Sequence, residues 1–176
     1  MSAAQSELFD SFRLPGLTLP GLTLGENIVT RDEERALIAA IDAVELSPFR
    51  FHQWTGKRLT ASFGWSYDFE TGRFAPSMPV PDWLLPLRER AGAFAHLPGD
   101  ELEQVLLIRY DVGAGIGWHR DRPVFGDVIG VSLLAPCVLR FRRELESDRD
   151  GVSSKLKRAQ WQRFKVTAEP RSAYFL

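Results

Sequence analysis

The chain has 176 residues, 44% of them hydrophobic and 26% charged, with a formal net charge of −1. That length suits one domain with a real core, and the near-neutral balance excludes a global basic field for nucleic acid or anionic membrane, leaving only a local patch for such partners. A single cysteine, Cys137, excludes an intrachain disulfide and a multi-cysteine zinc site, and the lack of a leader or long apolar run predicts a cytoplasmic protein outside the membrane.

Along the chain, residues 14–23 carry "LPGLT" twice, a Pro-Gly punctuated pattern that predicts an extended N-terminal segment over residues 1–29. Thr30 with Glu33 forms a capping-box pattern, and Leu37, Ile38, Ile41 and Val44 share a helical face, which predicts a helix from Arg31 to Val44. The aromatic-rich stretch "FRFHQWTGKRLTASFGWSYDF" reads as strands and a hairpin with Thr55-Gly56 at the turn. A Pro-rich connector, "FAPSMPVP", leads to a second helix over Asp82 to Ala95, with Trp83, Leu84, Leu87, Ala91 and Phe94 inward and Pro86 in its first turn.

After "LPGD" strands dominate. "VLLIRY" and "VIGVSLLA" are continuous apolar runs, as in buried strands. In "CVLRFRR" the alternation predicts one dry face (Cys137, Leu139, Phe141) and one basic face, and in "QWQRFKVT" Gln162, Phe164 and Val166 share a side. The chain turns at Glu169-Pro170 and opens a last strand in "RSAYFL". Helices first and short strands afterwards predict an α+β domain built on a β-sandwich or jelly roll. A strand stopping at Leu176 would leave the apolar edge "AYFL" unpaired, which predicts a native protein that continues.

The chemistry concentrates in "YDVGAGIGWHRDRPVFG", residues 110–126. On extended backbone, residues i and i+2 point the same way, so His119 and Asp121 can converge on one ion. Imidazole plus carboxylate suits Fe(II), Mn(II) or Zn(II), and a third ligand would complete a facial triad with open positions. The plainer alternative is a histidine hydrogen-bonded to a loop aspartate. The glycines do not form a phosphate loop, since no Lys-Ser/Thr follows, and are assigned to tight turning beside the ion.

This block, densest from Val105 to Arg143, resembles the AlkB-like branch of the Fe(II)/2-oxoglutarate dioxygenases, and the likeness extends over residues 50–176. It implies a double-stranded β-helix (jelly-roll) core with the N-terminal helices packed on it, in a single domain over residues 30–176. It implies Fe(II) and 2-oxoglutarate as cofactors, with His119 and Asp121 as the first two iron ligands and Tyr110 hydrogen-bonding 2-oxoglutarate. "FGWSYDF" matches the family's lid, which makes Trp65 the first and Tyr67 the second candidate for stacking on a substrate base. The implied reaction is oxidative dealkylation of an alkylated DNA or RNA base with molecular oxygen, a DNA-repair chemistry. The sequence departs from the family where an asparagine is common and Ile108 stands. It also lacks the distal histidine and the later arginine, so the domain is expected to be incomplete, with its C-terminal strands missing. Of the remaining histidines, His52 and His96 are assigned ordinary surface or capping roles. Two alternatives stand beside the enzyme: a non-catalytic AlkB-fold remnant binding nucleic acid or protein, and an oxygenase acting on a protein side chain.

Outside the motif, Arg140, Arg142, Arg143, Lys155, Lys157, Arg158 and Arg163 could form a basic lip for a phosphate backbone, or a solvated strand face balanced by Glu144, Glu146 and Asp148. Trp118 is expected to wall the site, and Cys137 to fill the core as a small apolar residue.

Overall fold

The computed structural model describes residues 19–51, 54–145 and 160–176. The first helix, α1 (Arg31–Asp42), starts as its sequence requires. The Glu33 N–H donates to the Thr30 hydroxyl at 3.2 Å, and the Thr30 N–H donates to the Glu33 carboxylate at 2.8 Å. Two donors with no partner inside the helix are thereby satisfied. It ends at Asp42 rather than Val44 because the last N–H groups, of Ala43 and Val44, reach back only three residues, to Ala40 and Ile41. A 3₁₀ turn at Asp82–Leu84 feeds α2 (Leu85–Ala95), whose Pro86 lies in the first turn, where a missing N–H costs nothing. His96 closes α2 in the left-handed conformation, φ 60°, the capping role expected of it.

Both helices pack on one core. Leu37 of α1, Leu84, Val29 and the strand residues Phe63 and Leu107 form its buried centre, with Ile41, Trp83 and Leu87 against it. The long β3 (Trp54–Phe63) is central to its sheet, in the order β2 (Ser47–Phe51), β3, β6 (Val105–Arg109). A second three-stranded sheet runs β1 (Thr23–Gly25), β10 (Ala173–Phe175), β7 (Ile129–Val131). Hairpins β4 (Trp65–Asp68)–β5 (Arg73–Pro76) and β8 (Cys137–Glu144)–β9 (Trp161–Ala168) complete the strands among the described residues. Their ladders are all antiparallel. The result is an α+β chain, mostly sheet with few helices. The first copy of "LPGLT" lies outside the described residues; the second, residues 19–23, turns with the Leu22 N–H donating to the Leu19 carbonyl, and its Thr23 opens β1, paired with β10.

Five expectations change. The strand in "AYFL" is no open edge, because Ala173–Phe175 pair with β1 on one side and β7 on the other. The β2–β3 ladder pairs Phe51 with Trp54 and Arg50 with Thr55, so the chain reverses before Thr55, and Thr55-Gly56 are ladder residues. Gly56 is accommodated because a Cβ there would meet Phe49 only at ordinary contact distance. The start of the Pro-rich connector is strand β5, paired with β4. In β6 only Leu107 is buried, whereas Leu106 and Ile108 point to the other face of the sheet and stay exposed there. Cys137 is exposed too, at the open end of the β8–β9 ladder beside Ala168.

One buried carboxylate fastens α1 to the sheet that flanks the site. Glu34 accepts the Leu134 N–H at 2.9 Å and the Arg171 guanidinium at 3.4 Å, and Arg171 also reaches Asn27 at 3.3 Å. Leu134 and Arg171 both have positive φ, 71° and 66°, so the acid satisfies two turns that the backbone alone disfavours. Across the β7–β10 ladder Gly130 faces Tyr174, and a Cβ on Gly130 would lie 2.1 Å from the ring's Cζ. Only glycine leaves room for that phenol to lie across β7.

Candidate metal centre and its surroundings

The segment from Tyr110 to Val128 leaves β6 as irregular chain, with one 3₁₀ turn at Pro123–Phe125, before β7 begins. Gly113 takes a positive φ of 78° in the turn after Asp111, as expected of a tight turn, while Gly115 and Gly117 do not use that freedom. Arg109 and Asp111, on either side of Tyr110, are paired at 3.2 Å.

Without a strand to align them, His119 and Asp121 nevertheless converge. The imidazole Nε2 lies 3.2 Å from Asp121 Oδ1, and Nδ1 lies 2.9 Å from the Gly117 carbonyl oxygen. A carbonyl oxygen only accepts, so Nδ1 carries the proton and donates it to Gly117. In the neutral ring Nε2 then presents its lone pair to the space it shares with the carboxylate. Both side chains are half exposed. Neighbouring positions on a six-coordinate ion about 2.1 Å from its ligands are about 3 Å apart, so the pair fits two adjacent positions. The pair suits Fe(II) in softness and charge, but among the described residues no cluster of three His, Cys, Asp or Glu forms.

Tyr110 is 46% exposed at the end of β6. A second tyrosine, which no local pattern singles out, joins it. Tyr174, on β10, is mostly buried, and that burial pushes its phenol above the ordinary 10.0, with the neighbouring Tyr110, Cys137 and Asp121 acting in the same direction. Three distant stretches thus bring Tyr110, Asp121, Cys137 and Tyr174 into one electrostatic neighbourhood. The clue, visible only after folding, is the Gly130–Tyr174 register.

Of the lid residues, Trp65 is 37% exposed at the start of β4. Tyr67 is half buried inside an aromatic cluster, with ring centroids 4.9 Å from Phe69, 5.0 Å from Phe74 and 5.2 Å from Phe125. The Arg122 guanidinium sits 5.6 Å from its centroid. Phe125 and Arg122 follow Asp121 closely in the chain, so the cluster fastens the β4–β5 hairpin to the loop that carries His119 and Asp121. Trp118, expected to wall the site, instead packs against Arg142 of β8, whose guanidinium is 4.8 Å from the Trp118 centroid and 4.4 Å from that of Trp161. His52 lies outside the described residues.

A model of the 2OG-Fe(II) oxygenase superfamily matches residues 22–169. The chain is similar to an alkylated DNA repair protein ALKBH8 homolog of Arabidopsis thaliana, 29% identical over 163 residues, covering 81% of this chain and 45% of that protein. It is also similar to a tRNA (carboxymethyluridine(34)-5-O)-methyltransferase ALKBH8 of Macaca fascicularis, 27% identical over 133 residues, covering 70% of this chain and 19% of that one. The chain spans less than half the length of these curated relatives. With the family model covering most of the chain and the His-x-Asp pair inside the match, the chain belongs to the 2OG-Fe(II) oxygenase superfamily and is AlkB-like within it.

Proposed function

We propose that this chain carries the dioxygenase centre of an AlkB-type enzyme that removes alkyl groups oxidatively from nucleobases in DNA or RNA. The observation that carries the reading is the His119–Asp121 convergence, with the imidazole tautomer fixed by Gly117 so that Nε2 is free to ligate. In this reading the fold is the jelly roll of the family, His119 and Asp121 hold Fe(II), and Tyr110 holds 2-oxoglutarate. The remaining iron ligand belongs to protein outside the described residues. Iron, 2-oxoglutarate and O₂ supply the oxidising power that places one oxygen atom on the N-alkyl carbon, with succinate and CO₂ released, after which the alkyl group leaves as an aldehyde.

The chain's own residues do the rest. Gly117 orients the imidazole, Asp121 supplies the negative charge that a divalent ion requires, and exposed Trp65 offers a flat face to an extruded base. The names of both relatives refer to nucleic acid, alkylated DNA in one and tRNA in the other, which supports a base as substrate. The test is succinate formation coupled to demethylation of a methylated oligonucleotide by the full-length protein. His119→Ala and Asp121→Ala are each expected to lower it by 100-fold or more, on the order of losing a metal. Full turnover in either variant would sink the assignment.

A further inference from the structure

We infer that the outer face of the β8–β9 hairpin binds the phosphate backbone of a single-stranded nucleic acid beside the His119 loop. The inference rests on the reading above for its substrate class, and adds where the polymer is held.

The β8–β9 register places Arg140 directly opposite Lys165 and Arg142 directly opposite Arg163. Alternation puts all four on the face opposite to buried Phe164 and Ala168, and all four are exposed. Like charges facing each other across a ladder repel, so the arrangement opposes folding unless an anion lies between them. No anion of this chain does so among the described residues: Arg140, Arg163 and Lys165 make no ion pair there, and Glu144, on the same face, lies at its end opposite Trp161. On a chain of net charge −1 this is a local concentration of positive charge.

A second observation favours nucleic acid over an acidic peptide. Arg142 is held between the indoles of Trp118 and Trp161, which stay 50% and 39% exposed. Cations interleaved with exposed aromatic faces are what an unpaired strand needs, phosphates on the former and bases on the latter. Trp118 adjoins His119 in the chain, so a strand on this face lies next to the loop that bears the reacting centre.

The experiment is fluorescence anisotropy of the full-length protein with labelled fifteen-nucleotide dT and U oligomers over a salt series. The variant Arg140→Ala/Arg163→Ala/Lys165→Ala is expected to bind at least tenfold more weakly. Its slope of log affinity against log salt is expected to be shallower by about 2, since each lost phosphate contact removes about 0.7. Arg140→Lys/Arg163→Lys keeps the charge and is expected to keep the slope, which separates lost contacts from lost folding. An unchanged affinity and slope in the alanine variant, no oligomer binding by the wild type, or equal displacement by poly-glutamate each overturn the inference. Succinate formation by His119→Ala reads the enzymatic proposal separately, so either claim can fail alone.

Discussion

His119 shows how little a loop needs to set the tautomer of an imidazole. One backbone carbonyl accepts a hydrogen bond from Nδ1–H, and the other nitrogen thereby faces the space beside Asp121. Glu34 does the complementary work in the scaffold: a nearly buried carboxylate satisfies the Leu134 N–H and the Arg171 guanidinium, tying α1 to two left-handed turns. Glu34→Ala leaves that N–H without an acceptor and the largely buried Arg171 guanidinium with Asn27 alone, so urea unfolding is expected to show a loss of about 2–3 kcal/mol. Glu34→Gln, which keeps an acceptor for Leu134, is expected to lose less. The convergence of His119 and Asp121 is legible in the sequence because their spacing is local. The sequence hides Glu34 and Tyr174, whose partners lie roughly a hundred residues away or across a ladder.

The same contrast holds for elements. Both helices are readable nearly to the residue because capping and periodicity are local signals, whereas the β2–β3 reversal falls before Thr55, where the Phe51–Trp54 register sets it, and not at the Thr-Gly that composition favours. At the start of α1, Glu33 is drawn down from its ordinary 4.5 to about 2, first by its bond to Arg90 of α2, then by the Thr30 backbone and hydroxyl. A carboxylate depressed on folding stabilises above its unfolded pKa and loses that contribution as pH falls through the folded value. The difference in melting temperature between wild type and Glu33→Gln is therefore expected to be full at pH 6, to shrink below about 4.5 and to vanish near 2. The β4–β5 hairpin depends on another inter-element contact, Tyr67 and Phe74 against Phe125. Phe125→Ala is expected to loosen the hairpin, exposing Arg73 to trypsin several-fold faster in a limited digest, at a cost of about 2 kcal/mol in overall stability.

For the whole molecule, the strand-rich half could be recognised as sheet, but not how the strands group. Among the described residues they form four sheets, and β6 closes one of them with an edge on which Leu106 and Ile108 stand exposed. A run such as "VLLIRY" reads as fully buried because it is apolar on both sides, and nothing in it says which face will go uncovered. An uncovered apolar edge is an association hazard. Leu106→Lys is expected to lower the self-association of this chain in sedimentation while leaving its unfolding temperature within a degree or two, since Leu106 is 46% exposed. A fall in unfolding temperature like that of a core substitution would show that the face is covered.

The Trp118–Arg142–Trp161 stack also makes the molecule self-reporting. Indole emission follows the polarity and charge around the ring, and two of the chain's five tryptophans share one guanidinium at the edge of the His119 loop. A rearrangement of that loop that moves Trp118 off Arg142 alters the surroundings of both indoles together. The events at His119 are therefore written into the protein's own light, without a dye or a label.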